Sequence, residues 1–149
     1  MKRYKVIHSS KFLSFISFFG PIEAALVTFA PFVFSRSKVV TPSSENHEAI
    51  HVYQQQEISL LTSLLLAPLA FFVSWQLTIT LLILAWLPLT NPFYTLYVIF
   101  YLFGVIKYRD TNFAYDMIPF EQESYANEEN LNYLKARFAF SWVKYLHRG

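Results

Sequence analysis

His47-Glu48-Ala49-Ile50-His51 brings two imidazoles and a carboxylate into five consecutive residues. On a helix, positions four apart lie on one face, so His47 and His51 can direct ring nitrogens at a single metal ion. Glu48 stands at the rim of that face, where a carboxylate can hold and deprotonate a water on the metal. The chain has no cysteine, which leaves nitrogen and oxygen ligands. A catalytic zinc takes three protein ligands and keeps one position open, so a third ligand must come from elsewhere in the sequence. His8 and His147 each stand alone near a terminus, where a half-exposed histidine needs no special explanation. Glu123 and Asn127 are better placed, four apart on one predicted helical face. Glu123 is expected as the third ligand, with the amide oxygen of Asn127 taking the Nδ1 proton of a ligating histidine. Glu121 lies about 200° around the same helix from Glu123, so the two cannot both aim at one ion. Tyr115 and Tyr125 are candidates to stabilise an oxyanion. The plainer reading of both, in a chain with ten tyrosines, is an aromatic belt at a membrane interface.

The elements that must position these groups can be read from the chain's punctuation. Thr41-Pro42 predicts a helix start, Thr41 as N-cap and Pro42 at the first helical position, with the helix carrying the metal motif through residues 41–57. Pro119 predicts a second start, followed by an acidic first turn, Phe120-Glu121-Gln122-Glu123, that suits the helix dipole. Residues 1–40 are broken by Gly20-Pro21 and Pro31, and their aromatic and β-branched runs predict short strands or a hairpin. A membrane segment from Phe12 to Phe34 is the rival reading there. Residues 107–149 are expected to form the ligand helix and an interfacial tail, in which Lys135, Arg137, Lys144 and Arg148 alternate with Phe138, Phe140, Trp142 and Tyr145.

Composition then sets the expected surroundings. The chain of 149 residues is 54% hydrophobic and 15% charged, and the 49 residues from Ile58 to Ile106 contain no Asp, Glu, Lys, Arg or His. As helix, that stretch would be about 73 Å long, against a hydrocarbon core of roughly 30 Å. Two spans are expected, one near Ile58–Val73 and one ending near Ile106. The Leu77–Leu89 stretch is left to lengthen the second span, form a re-entrant piece or lie in the interface. The expected fold is mainly α and integral to the membrane, a single domain over residues 1–149 with a short N-terminal β-hairpin. His51 and Glu123 flank the charge-free block, so an even number of crossings returns them to one side. Arg36, Lys38, Lys107 and Arg109 place that side in the cytoplasm of an inner membrane. A net charge of +2 is too small to argue for nucleic acid. A signal peptide is not expected, because Glu23 interrupts the apolar run after Phe12 and no small-residue cleavage site follows.

The two motifs together, His47-Glu48-Ala49-Ile50-His51 and Glu123-Ser124-Tyr125-Ala126-Asn127, resemble the gluzincin pattern of membrane zinc metallopeptidases. The chain also resembles a group of small bacterial membrane proteins that carry H-E-x-I-H-x-x-Q-Q-x-E, here continuing through Gln54, Gln55 and Glu57. Tyr108-Arg109-Asp110, Phe120 to Glu128, and Asn132-Tyr133-Leu134-Lys135 extend that likeness over roughly residues 30–146. The resemblance implies one zinc ion, ligands His47, His51 and Glu123, Glu48 as general base, and Asn127 behind a histidine. It implies hydrolysis of a peptide or membrane-protein substrate, with membrane lipid as surroundings. Many gluzincins have Asp where this chain has Asn127, which lowers the expected basicity of the histidine. The alternatives are a metal-binding membrane protein without catalysis, serving as scaffold or sensor, and a structural membrane protein whose motif is an accident of helix polarity.

Overall fold

A computed structural model describes residues 4–9, 13, 26–87 and 90–147. It contains strands β1 (Lys5–His8), β2 (Leu26–Phe29) and β3 (Phe32–Ser35). Its helices are α1 (Pro42–Leu66), α2 (Trp75–Trp86), α3 (Pro92–Tyr108), α4 (Thr111–Asp116), α5 (Pro119–Asn127) and α6 (Tyr133–Ala136), with 3-10 turns at Ala67–Phe71 and Ser141–Tyr145. The chain divides into two compact units, Met1–Tyr53 with Ser124–Arg137 and Gln54–Glu123 with Phe138–Gly149.

In the first unit the strands form one sheet in the order β1-β3-β2, with β3 parallel to β1 and antiparallel to β2. Apolar β-branched and aromatic residues line it, and Val33 on the central strand is fully buried. The β2–β3 hairpin lies in the region expected to hold one. The apolar run Phe12–Phe19, apart from Leu13, and Glu23 lie outside the described residues. Helix α1 opens at Pro42, where the Thr41 hydroxyl accepts from the Ser44 amide at 3.1 Å and satisfies one of the first-turn donors. Ala49, Ile50 and Val52 are fully buried along its first half. The end of α5 is tied to this half by Asn46, whose Nδ2 donates to the carbonyls of Asn127, Glu128 and Asn130 at 3.1, 2.9 and 3.2 Å. One amide thereby serves carbonyls at and beyond the helix terminus that have no intrahelical partner.

The core of the second unit is Ile58, Phe93, Ile118, Phe120 and Trp142, with Tyr97 and Phe100 packed against it. Phe120 is its centre, with ring centroids 4.5 Å from Phe93 and 4.9 Å from Trp142. Asn91 starts α3 by accepting from the Phe93 amide at 3.0 Å, and its own Nδ2 donates to Ser59 Oγ at 2.8 Å.

Among the described residues no helix is long and apolar enough to cross a membrane. This corrects the expectation of an integral membrane fold with two spans, and with it the inner-membrane placement and the cytoplasmic side of the site. The physical reason is where the charge-free block breaks. Leu66 is followed by a 3-10 turn with Pro68 near its start, Ser74 caps α2, and Asn91-Pro92 starts α3. Helices α2 and α3 have 12 and 17 residues, or about 18 and 26 Å, each shorter than a hydrocarbon core. Helix α1 is longer, but Glu45, Glu48 and Glu57 occupy its first sixteen residues. Lack of charge does not mean burial here either, since Leu64, Leu65, Phe71 and Phe72 are 65%, 70%, 89% and 83% exposed.

Candidate metal centre

The first half of α1 presents the two imidazoles as their spacing predicts. Their Nε2 atoms stand 3.2 Å apart, with ring centroids separated by 4.9 Å. Two nitrogens each about 2.05 Å from a tetrahedral zinc would stand about 3.3 Å apart. The two atoms are therefore already spaced as ligands of one ion.

Glu128 explains why His47 presents Nε2. Its Oε2 accepts from His47 Nδ1 at 2.8 Å, and a carboxylate can only accept, so the proton sits on Nδ1 and the Nε2 lone pair is left for a metal. This is the role the sequence assigns to Asn127, and Glu128 is the next residue. The backbone carbonyl of Asn127 accepts from Asn46 instead. The Tyr125 ring meets the His47 imidazole edge to face, centroids 4.9 Å apart, and restricts its rotation.

Glu48 is fixed to the sheet. The Thr28 hydroxyl on β2 donates to Glu48 Oε2 at 2.5 Å and lies 3.2 Å from the Glu48 carbonyl oxygen. Oε1 has no partner among the described residues.

Helix α5 carries two buried carboxylates, Glu121 at 2% and Glu123 at 0% exposure. Glu121 Oε1 accepts from the Tyr97 phenol at 2.8 Å. Burial, then the negative charge of Glu121 and the neighbouring Tyr115, push that phenol far up, so it remains a donor. The Tyr115 ring meets Tyr97 edge to face, ring centroids 6.1 Å apart. Glu123 Oε2 accepts from Gln54 Nε2 at 3.0 Å, and the same amide donates to the Phe120 carbonyl at 3.1 Å.

His47, His51 and Glu121 each offer one ligand atom, all within 4.8 Å of one another, and could hold a metal ion. Two nitrogens and a carboxylate oxygen are a ligand set that zinc accepts in catalytic sites. Glu123, expected as the third ligand, is not in that group. No spacing rule distinguishes the two glutamates, since both sit in the first turn and a half of one helix. Tyr125 lies one turn beyond Glu121 on the same face of α5, and its ring meets His47, a contact that only the fold reveals. No protein-family model, curated protein or solved structure matches this chain.

Proposed function

We propose that the chain is a zinc-dependent hydrolase of peptide bonds, with His47, His51 and Glu121 as ligands and Glu48 as general base. The observation that supports this reading most is the pair of Nε2 atoms at 3.2 Å, grouped with a buried carboxylate. A zinc ion held there would polarise a carbonyl and make water acidic enough to react near neutrality. Glu48 takes the water's proton on Oε1 and returns it to the leaving nitrogen. Thr28 holds the other oxygen and keeps the carboxylate from turning away. Glu128 holds the His47 tautomer, and Tyr97 holds the Glu121 carboxylate. Of the two candidate phenols, Tyr125 is the one packed on a ligand histidine and is 47% exposed, which suits contact with a substrate oxyanion.

A second reading is metal binding without catalysis. It is favoured by the 2.5 Å bond from Thr28, which employs the Glu48 carboxylate as a tie between helix and strand.

Zinc content and peptide cleavage, measured on the same purified samples, test both readings. Wild type is expected to hold one zinc, and His47→Ala and His51→Ala none. Glu48→Gln is expected to keep the metal and lose cleavage by about 10²–10⁴-fold, the usual contribution of a positioned base. Stoichiometric zinc in His51→Ala contradicts the metal centre. Zinc-loaded wild type that cleaves no member of a peptide library favours binding alone.

A further inference from the structure

Helix α3 places Phe100, Phe103, Gly104 and Lys107 at spacings of three, four and seven residues, so the four share one face. That face lines a cavity of about 310 Å³, closed on another side by Met117 and Pro119. The volume is at the lower end of small-molecule sites, which are mostly apolar with a few polar groups that fix orientation. Gly104 shapes the floor. A Cβ there would come within 3.0 Å of the Ala114 Cβ and 3.2 Å of its backbone, so the absence of a side chain is what lets α4 pack this close.

We propose that this cavity binds a single-chain aliphatic carboxylate, its tail against Phe100, Phe103 and Met117 and its head group on the Lys107 ammonium. Lys107 is the cation of the lining, its Nζ 5.0 Å from the Tyr108 ring centroid, and among the described residues it has no carboxylate partner. A bound anion would supply one. The rest of the lining favours a hydrocarbon tail over a peptide. A peptide brings backbone amides that each need a partner when covered, whereas an alkyl chain brings none. The lining residues all belong to the second unit.

Titration calorimetry with decanoate and with decanol tests this. Wild type is expected to bind decanoate saturably at one site. Lys107→Ala is expected to weaken decanoate by about fivefold or more and leave decanol unchanged, since only the ion pair is removed. Phe103→Ser is expected to weaken both ligands. Lys107 and Phe103 are exposed, so neither change threatens folding, and unchanged circular dichroism checks this. Non-saturable binding by wild type, or equal decanoate affinity in Lys107→Ala, overturns the proposal. Tighter binding of an apolar peptide with a free C-terminus than of decanoate overturns the ligand class.

Discussion

Glu121 and Glu123 stand two residues apart on one helix, both almost wholly buried, and have opposite surroundings. Glu121 takes a phenol from Tyr97 and belongs to a group with two imidazoles that could hold a metal. Glu123 takes an amide from Gln54, which also binds the Phe120 carbonyl in the body of the helix. A buried carboxylate is costly unless it is hydrogen bonded or bound to a cation. The two residues represent two arrangements, one that takes a neutral amide and one that takes a phenol and has two imidazoles grouped with it. The difference teaches that burial and charge do not identify a metal ligand, whereas the company of other ligand atoms does.

That contrast can be broken by removing each carboxylate's donor. Gln54→Leu removes one bond from the Glu123 carboxylate, about 1.5–3 kcal/mol for a bond to a charged group, and one from the Phe120 carbonyl, about 0.5–1.5 kcal/mol. Urea unfolding should show this loss, while zinc affinity stays as in wild type. A zinc-affinity loss as large as that of His51→Ala would place Glu123 in the centre after all. Next in size is Glu128→Ala, which removes the acceptor that fixes the His47 tautomer. Zinc affinity should fall by about 10–100-fold, as for other groups that orient a ligating histidine.

Tyr97→Phe sharpens the contrast from the Glu121 side. It should cost about 1–3 kcal/mol at neutral pH through the lost donor to a buried carboxylate. The alkaline behaviour is more diagnostic. The folded pKa of Tyr97 lies above the value of about 10 found in unfolded chains. The phenol's contribution is therefore fully present below pH 10 and is lost as pH rises above it, because the unfolded chain then releases a proton that the folded chain keeps. Urea midpoints between pH 9 and 11 should fall for wild type and fall less for Tyr97→Phe. Tyr4, pushed up by burial and by Glu45, adds a similar and separate alkaline loss. The smallest effect is expected of Thr28→Val, which frees Glu48 Oε2 at about 0.5–1.5 kcal/mol, the net value of one hydrogen bond. Cleavage should fall more than zinc affinity if Glu48 is the base.

The sequence made part of this legible. Thr41-Pro42 and Pro119 mark the starts of α1 and α5 because a proline at the first turn and a hydroxyl cap have few other uses. The approach of His47 to His51 follows from helical spacing alone. The membrane spans did not follow, because a charge-free run was measured by its length while Pro68, Ser74 and Asn91-Pro92 had already divided it. The choice between Glu121 and Glu123 was beyond local pattern. It depends on how α5 is rotated about its axis, and that is set by the packing of Phe120 among Phe93 and Trp142. Glu128 was missed because it follows the last residue of α5, where helical spacing no longer applies.

The central claim is that Glu121, and not Glu123, completes a centre begun by His47 and His51. Competitive titration of zinc into Glu121→Gln and Glu123→Gln, each checked for unchanged circular dichroism, tests it most directly. The account predicts loss of about 100-fold or more in affinity for Glu121→Gln, on the order of a missing ligand, and wild-type affinity for Glu123→Gln. Wild-type affinity in Glu121→Gln, with the loss in Glu123→Gln, would contradict it.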